Sequence, residues 1–207
     1  MSRRSKYRTA ARPRQVRIIG GRWRGRRLKV GEARGLRPTP DRVRETLFNW
    51  LQPHLQGARC LDLFAGSGAL GFEAASRGAD SVVLIENNPT LVDLLRQGAD
   101  ELGADTARIV QADGLAWLRE QSQAFDIVFL DPPYADSPLQ QACALLLQRR
   151  LLADGALVYV ESGMQMPVEV EGLEKFKQGR AGQVQYGLLK FTRNPDNDED
   201  GNLSRHL

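Results

Sequence analysis

The chain has 207 residues, of which 42% are hydrophobic and 26% charged, a composition typical of a soluble globular protein with one substantial core. No apolar stretch reaches the roughly 20 residues needed to span a bilayer, and the arginine-rich N-terminus lacks the features of a secretory signal. Residues 1–44 carry 16 Lys and Arg against two acids, whereas residues 45–207 carry 13 against 23, so we expect the N-terminal segment to contact a polyanion.

The basic N-terminal segment is predicted to contain a disordered tail, residues 1–14, followed by a β-hairpin, residues 15–37. The hairpin strands, residues 15–19 and 26–30, are joined by a glycine-containing turn. A solvated basic tail without a partner is the alternative, but an aromatic ring among arginines offers base stacking as well as phosphate contact. The candidate nucleic-acid contacts are Arg17, Arg22, Trp23, Arg24, Arg26 and Arg27.

After a break at Pro38-Thr-Pro40, a helix is predicted over residues 42–51, with Asp41 as its N-cap and Pro53 with Gly57 at its end. From residue 58 onward, short apolar runs alternate with helical patterns. The expected strands are residues 59–64, 81–85, 107–111, 125–130 and 156–161. The expected helices are residues 69–77, 90–102, 114–121 and 138–150. This alternation predicts a parallel sheet covered on both faces.

Residues 168–176 and 184–191 are predicted to add an antiparallel pair at the edge of this sheet. The predicted fold class is therefore α/β, a doubly wound, mostly parallel, Rossmann-like seven-stranded sheet preceded by a basic β-hairpin. The acidic residues 194–207 are expected to form a disordered tail.

A glycine-rich loop, Leu61-Asp-Leu-Phe-Ala-Gly-Ser-Gly-Ala-Leu-Gly71, follows the first strand of the sheet and opens a helix. Such a loop permits a tight turn and close approach of a ligand. A dinucleotide-dependent oxidoreductase is the obvious competitor, but Asp62 would repel a pyrophosphate, whereas it would attract the ammonium group of S-adenosylmethionine. We therefore predict S-adenosylmethionine as the cofactor.

Two further acids support this cofactor because they follow the next two strands, on the edge where open α/β sheets bind ligands. Glu86 is expected to accept hydrogen bonds from the ribose hydroxyls, and Asp113 from the adenine amino group. The candidate cofactor-binding residues of this edge are Asp62, Phe64, Gly66, Ser67, Gly68, Glu86, Asn87 and Asp113.

The tetrapeptide Asp131-Pro-Pro-Tyr134 directly follows the apolar strand at 125–130. An exocyclic amine of a base is a poor nucleophile, and the Asp131 carboxylate and Pro132 carbonyl can hold it by accepting from its N–H groups. Pro133 fixes the corner of the chain, and Tyr134 can stack on the base. A proline stop after a buried strand is the alternative. The favoured hypothesis is methylation of the exocyclic amine of a base, and the catalytic candidates are Asp131, Pro132, Pro133 and Tyr134.

The cysteines and histidines indicate neither a metal site nor a histidine base. Cys60 and Cys143 stand alone in apolar surroundings, as expected for buried thiols in the reducing cytoplasm. His54 and His206, the two histidines, are expected at the end of a helix and in the tail, which disfavours a histidine general base. We expect a monomer with no metal and no membrane partner.

These motifs resemble those of the class I S-adenosylmethionine-dependent methyltransferases and, among them, the RsmD family of bacterial 16S rRNA guanine-N2 methyltransferases. The similarity runs from about residue 16 to residue 191. It is most specific in residues 17–28, 37–50, 62–68 and 131–134.

The resemblance implies a cytoplasmic enzyme that methylates the N2 amine of one guanine in 16S rRNA, within the small ribosomal subunit or its assembly intermediate. We expect residues 38–193 to form the methyltransferase domain, and the arginines of the hairpin predict that it binds RNA. The resemblance also implies that the segment around Thr39 and Arg42 folds over the methionine end of the cofactor.

Two other functions remain open. A DNA adenine-N6 or cytosine-N4 methyltransferase shares the acidic-Pro-Pro-aromatic motif, although such enzymes usually have a separate target-recognition domain and only a short hairpin is available here. A non-catalytic RNA-binding ribosome-assembly factor could keep the same fold. The intact set of Asp62, Glu86, Asp113 and Asp131 disfavours this last alternative.

Overall fold

The computed structural model of the chain describes residues 15–31, 39–132, 138–162, 170–182 and 184–193. The predicted tails, residues 1–14 and 194–207, lie outside these ranges, as do Pro133 and Tyr134. The strands are β1 Gln15–Arg17, β2 Arg27–Lys29, β3 Arg59–Asp62, β4 Ser81–Glu86, β5 Ala107–Gln111, β6 Phe125–Leu130, β7 Leu152–Ser162, β8 Leu173–Ala181 and β9 Val184–Phe191. The helices are α1 Asp41–Leu55, α2 Ala69–Ser76, α3 Pro89–Leu102, α4 Gly114–Glu120 and α5 Pro138–Gln148.

Seven strands form one sheet in the order β5-β4-β3-β6-β7-β9-β8, and β1 pairs with β2 in a separate hairpin. Strands β3 to β7 are parallel, and β9 runs antiparallel between β7 and β8. The predicted fold class is confirmed. The strand order reverses between β3 and β6, and open α/β sheets bind their ligands at the carboxyl edge beside such a switch point.

The strands at the centre of the sheet are apolar because both faces are covered. In β6, Ile127 and Phe129 belong to a core shared with α1, α2 and α3. The alternate residues Val128 and Leu130 belong to a second core shared with α4 and α5. Two helical layers therefore fix the sheet and leave its carboxyl edge available.

Helix α1 differs from its prediction at both ends. Pro40 is the N-cap and no side chain caps the helix, while Asp41 is the first helical residue and its Oδ1 accepts from the buried Arg44, 2.6 Å away. Pro53 lies inside the helix and does not end it. Leu55, one residue before the C-cap, is fully buried, and its packing outweighs the single hydrogen bond that a proline removes.

The sheet edge also differs in its bounds. Strand β7 begins at Leu152, four residues before its predicted start, because Leu152 pairs with Phe125 of β6. Strand β8 begins at Leu173 rather than at residue 168, and the start of the predicted range lies outside the described residues. Apart from Leu173, β8 has no buried residue. The spacing of apolar residues in the sequence therefore predicts the start and end of this strand poorly.

The hairpin packs on the core that lies against α2. Buried Val16, Ile18, Leu28 and Val30 alternate with exposed basic residues along both strands.

Among the described residues, no helix is both long and apolar enough to cross a membrane.

Two polar residues of α2 hold the hairpin turn. The fully buried Glu73 carboxylate accepts from the backbone N–H groups of Ile19 at 2.7 Å and Gly20 at 2.8 Å. The Ser76 hydroxyl accepts from the N–H of Trp23 at 3.0 Å and donates to the carbonyl of Gly20 at 2.6 Å. These bonds attach the turn to the helix that follows the glycine-rich loop.

Candidate active site

Five carboxylates lie within two residues of the ends of five neighbouring strands, all at the carboxyl edge of the sheet. From one side to the other, they are Asp113 after β5, Glu86 of β4, Asp62 of β3, Asp131 after β6 and Glu161 of β7. Four of the five were predicted from the sequence as site residues. The edge therefore presents a row of acids, which suits a ligand that carries positive charge.

The glycine-rich loop lies at the centre of this edge and depends on close packing. Gly68 has φ +72° as the N-cap of α2, and a Cβ there would lie 2.6 Å from side-chain atoms of Phe72 and Leu95. A Cβ on Gly71 would lie 2.8 Å from Leu84. Side chains are excluded at both positions, so the loop backbone itself forms the surface that a ligand would meet.

Two acids of the row hold this loop in place. The Asp62 Oδ2 accepts from the N–H of Gly71 at 2.9 Å, and the Glu86 Oε2 accepts from the N–H of Gly66 at 2.9 Å. The second Glu86 oxygen accepts from the N–H of Asn88, also at 2.9 Å. Each acid thus shapes the loop while keeping acceptor capacity for a ligand, since one carboxylate offers about four lone-pair sites.

Asp62 is almost completely buried, and its pKa is raised to about 7, first by burial and also by the charge of Glu86, against the opposing Gly71 hydrogen bond. A cation bound beside Asp62 would favour its ionised form and lower this pKa.

The other predicted cofactor residues occupy the same edge with different surroundings. Asp113 is exposed and is the N-cap of α4, where its Oδ1 accepts from the N–H of Ala116 at 2.8 Å. Phe64 and Ser67 of the loop are half-buried, and Asn87 is exposed after β4. The capping bond of Asp113 uses one oxygen and leaves the other for a ligand.

The segment before α1 reaches the residue that follows β6. Thr39 is buried, and its hydroxyl donates to the Asp131 Oδ2 at 2.9 Å. Arg42 is exposed in the first turn of α1. Pro132 is half-buried beside Asp131, whereas Pro133 and Tyr134 lie outside the described residues.

The pKa of Asp131 is raised, because burial and the charges of Glu161 and Asp62 together oppose its ionisation more than the Thr39 hydroxyl favours it.

Within the part of the chain that the structure describes, no group of three or more His, Cys, Asp or Glu could hold a metal ion.

The hairpin presents its arginines to solvent. Arg17, Arg22, Arg24, Arg26 and Arg27 are all exposed. Some also have partners: Arg17 lies 3.5 Å from Asp41, and Arg26 donates to the carbonyl of Glu101 at 2.6 Å. The arrangement is a basic surface next to a folded turn, as the sequence predicted.

Trp23 requires a correction, because the sequence predicted that its ring would stack on bases. Trp23 is only 7% exposed and belongs to the core under the hairpin, with the Arg22 guanidinium 4.1 Å from the ring centroid. Its physical role is to anchor the turn, and Arg22 covers the face that a base would use.

Several residues of this region were missed by sequence reasoning. Glu161 follows an apolar run one residue before the end of β7, much as Glu86 follows one at the end of β4, and that shared pattern could have identified it. Arg44, Glu73 and Ser76 gave no such signal, since a buried polar residue inside a helix resembles a surface one until its partners in the distant hairpin are known.

Comparison with known proteins gives a consistent result. A protein-family model described as "Conserved hypothetical protein 95" matches residues 16–190. The protein "Ribosomal RNA small subunit methyltransferase D" of Escherichia coli strain K12 is 44% identical over 188 residues, which cover 90% of this chain and 95% of that protein. The Haemophilus influenzae protein of the same name is 43% identical over 181 residues, covering 85% and 94%.

Solved structures agree with this match. The Escherichia coli protein yhhF has a TM-score of 0.82 and 42% identity, covering 87% of this chain and 99% of that chain. An RNA methyltransferase from Salinibacter ruber, solved in complex with S-adenosyl-L-homocysteine, has a TM-score of 0.60 and 21% identity, covering 76% and 95%. The second likeness concerns the fold alone.

Proposed function

The chain belongs to the RsmD family of class I methyltransferases, and we propose that it transfers a methyl group from S-adenosylmethionine to the N2 amine of a guanine in 16S rRNA. The observation that carries this proposal is the row of carboxylates around the glycine-rich loop, with Asp131 next to it at the end of β6. The substrate is the small ribosomal subunit or its assembly intermediate, by analogy with the printed names of the relatives.

The carboxyl edge fits S-adenosylmethionine because that cofactor carries positive charge and no phosphate. When bound, it supplies a methyl group on a cationic sulfur, and the C–S electron pair stays with sulfur as the C–N bond forms. Asp62 would attract the ammonium group, Glu86 would accept from the ribose and Asp113 from the adenine. The loop backbone at Gly66 and Gly68 would pack against the ligand.

Other residues of the predicted set complete this cofactor site. Phe64, Ser67 and Asn87 line the same edge, and the segment with Thr39 and Arg42 would cover the methionine end. The hydrogen bond from Thr39 to Asp131 supports this, because it fixes that segment against the end of β6.

Asp131 would hold the target amine. Its carboxylate and the Pro132 carbonyl accept hydrogen bonds from the two N–H groups, which orients the nitrogen lone pair for in-line attack. Once the C–N bond has formed, the surplus proton on nitrogen passes to Asp131, whose raised pKa suits an acceptor. Pro133 and Tyr134 would fix the corner and stack on the base.

The hairpin would bind rRNA by phosphate contacts. Residues 15–37 are thus the RNA-binding unit, and residues 38–193 are the methyltransferase unit of a monomer. Arg17, Arg22, Arg24, Arg26 and Arg27 are the contacts, and their exposure supports this role. Trp23 contributes only by anchoring the turn.

The test is nucleoside analysis of rRNA from cells that lack the chain, complemented with wild type, Asp131→Ala or the control Asp93→Ala, which removes an exposed carboxylate of α3. We expect N2-methylguanosine to be lost from 16S rRNA and restored by wild type and the control but not by Asp131→Ala. Purified Asp131→Ala should still bind S-adenosylmethionine.

Three outcomes would contradict the proposal. Loss of N6-methyladenine or N4-methylcytosine from DNA would favour the DNA methyltransferase. Unchanged methylation with defective subunit assembly would favour the assembly factor. Failure of Asp131→Ala to bind the cofactor would remove the assigned role of Asp131.

A further inference from the structure

Phe176 of β8 is the large hydrophobic residue that stands exposed within the described part of the chain, with 40% of its surface accessible to solvent. Its strand is an edge of the sheet, two strands beyond β7 and the last acid of the carboxylate row. A single exposed apolar residue needs no explanation by itself, so the meaning of this ring depends on its surroundings.

A β-bulge brings a lysine to the same face of the sheet as the ring. Lys175 pairs with Leu189 of β9 and Lys177 pairs with Leu188, so Phe176 is the extra residue between them. Leu188 belongs to the core shared with α1, whereas Leu189 belongs to the core on the opposite face. Because register partners lie on one face, Lys177 lies on the α1 side and Lys175 on the other. Strict alternation would have placed the two lysines together, so the bulge redirects Lys177.

Two lysines and a histidine surround the ring. The Nζ atoms of Lys177 and Lys190 lie 5.5 Å and 5.9 Å from the centroid of the Phe176 ring. The imidazole of His54, near the end of α1, meets this ring edge-on, with 6.4 Å between the centroids and 82° between the planes. We call these four residues the Phe176 surface. Among the described residues neither ammonium group forms an ion pair, although Glu174 is the register partner of Lys190.

The ring of Phe176 differs from that of Trp23 because it is open to a ligand. Trp23 is only 7% exposed and has the Arg22 guanidinium 4.1 Å from its centroid, whereas the cations near Phe176 are farther from a ring that faces solvent. Proteins that bind single-stranded nucleic acid use this combination, since the ring stacks on a base and the cations contact phosphates.

Protection of the sheet edge is a different physical explanation. Lysines and a bulge on an edge strand prevent its pairing with another chain, which accounts for Lys175, Lys177 and Arg180 in β8. It does not account for Phe176, because an exposed apolar side chain on an edge strand favours association instead. A second copy of the chain is also a poor occupant, since pairing two β8 strands would bring lysines close to lysines.

A stacked aromatic pair joins the Phe176 surface to the carboxyl edge of the sheet. Trp50 of α1 stacks on Tyr186 of β9, with 5.7 Å between the centroids and 29° between the planes. Tyr186 is the register partner of Glu161 at that edge, and Lys190 lies farther along β9 by about 13 Å, at about 3.3 Å per residue. A single strand that extends from the carboxyl edge along β9 would therefore reach the Phe176 surface.

We propose that the Phe176 surface is a second RNA contact, separate from the hairpin, where the ring of Phe176 stacks on an unpaired base and Lys177 and Lys190 contact the flanking phosphates. Stacking accepts any base, so this contact adds affinity without selecting a sequence. The inference rests on the proposed function for RNA as the partner, but it does not depend on which base is methylated.

The first test is the affinity for a fluorescently labelled, single-stranded oligouridine of roughly 10 nucleotides, the scale of single-strand binding sites, measured by fluorescence anisotropy. Phe176→Ala should weaken binding about fivefold or more, the loss expected for one base stack. Phe176→Tyr should keep the wild-type affinity, because a phenol ring also stacks. Each variant is also tested with the hairpin arginines at positions 22, 24, 26 and 27 changed to glutamine, which isolates the Phe176 surface.

The second test uses two lysines of one strand. Lys177→Gln should lower the slope of the logarithm of affinity against the logarithm of salt concentration by about 0.7, the value for one phosphate contact with a single strand. Lys175→Gln removes the same charge from the opposite face and is the matched control, whose slope should stay at the wild-type value. This comparison decides the question even if Phe176→Ala unfolds, which a thermal melt would reveal.

Three results would overturn the proposal: unchanged affinity in folded Phe176→Ala, equal slopes for Lys175→Gln and Lys177→Gln, or unchanged RNA affinity together with loss of a dimer in Phe176→Ala. The last would make a second copy of the chain the occupant. These binding assays need no methylation. Weaker RNA binding in Phe176→Ala, when cells lacking the chain keep their N2-methylguanosine, would support the surface and count only against the proposed function.

Discussion

The attachment of the hairpin predicts that Glu73→Leu destabilises the protein strongly. Glu73 is fully buried and accepts from the N–H groups of Ile19 and Gly20 and from Arg77 Nε, at 2.7, 2.8 and 2.7 Å. Its carboxylate also lies 3.9 Å from the guanidinium of the fully buried Arg44. Leucine has a similar volume but accepts no hydrogen bond and carries no charge, so all these groups lose a partner.

The magnitude follows from the partners left behind. Removing one member of a buried ion pair costs about 3–5 kcal/mol, because the other charge stays buried without compensation. Each buried N–H without an acceptor costs about 1–3 kcal/mol, but the turn can move toward water, so the terms do not add. We expect a total of about 3–5 kcal/mol, which lowers the unfolding midpoint by roughly 6–20 °C in a chain of this size.

The assay is chemical and thermal unfolding, together with hydrogen exchange of the Ile19 and Gly20 amides, which should lose protection. The matched control is Glu101→Leu, because Glu101 also contacts the hairpin, through an exposed ion pair with Lys29 at 3.1 Å. That pair should be worth less than about 1 kcal/mol. Equal losses for the two variants, or a loss below about 1 kcal/mol for Glu73→Leu, would refute the reasoning.

Three further predictions concern charge. Changing Arg22, Arg24, Arg26 and Arg27 together to glutamine should weaken RNA binding and flatten its salt dependence, since phosphate contacts release counterions; an anisotropy titration at several salt concentrations that gives an unchanged slope would contradict this. Asp62 has a folded pKa of about 7, raised from 3.8, so the stability of the ligand-free protein should fall as pH rises across that window. This fall should be smaller in Asp62→Asn, as thermal unfolding against pH would reveal. The Arg59 side chain lowers the pKa of Asp126 by hydrogen bonding, so their pair should stabilise the fold above the usual carboxyl pKa and not in acid. Asp126→Asn should therefore unfold earlier than wild type at neutral pH, by about 1 kcal/mol or less for this half-exposed pair, and the two should converge in strong acid.

The parts of the fold that were predictable are those with a local cause. Apolar strands separated by helical periodicity predicted the parallel sheet, because burial on both faces leaves a continuous apolar run. The end of α1 was not predictable in this way, since Leu55 extends the helix past Pro53 by packing in the core. The bounds of β8 were equally hard to predict, because an exposed edge strand has almost no pattern of apolar residues.

The site residues show the same distinction between those that have a local sequence signal and those that depend on distant contacts. Asp62, Glu86, Asp113 and Asp131 could be found because each follows an apolar strand, and parallel strands bring such residues to one edge. The burial of Trp23 could not be foreseen, because arginines on both sides hide its contact with the core beneath the hairpin. Partners that are distant in sequence, such as Thr39 and Asp131, become visible only in the folded chain.

Helix α2 explains how so short a hairpin is held in place, as the proposed RNA-binding role requires. An isolated two-stranded hairpin is marginally stable in water, but here its turn is bonded to Glu73 and Ser76, and all eight residues of α2 are buried. The same helix begins at Gly68, beside the carboxylate row. One rigid element of about 12 Å therefore holds both the arginine-bearing turn and the glycine-rich loop, so it would fix the distance between the proposed RNA contacts and the proposed site of methyl transfer. Loosening the turn through Glu73 should thus weaken RNA binding while leaving cofactor binding at the sheet edge intact.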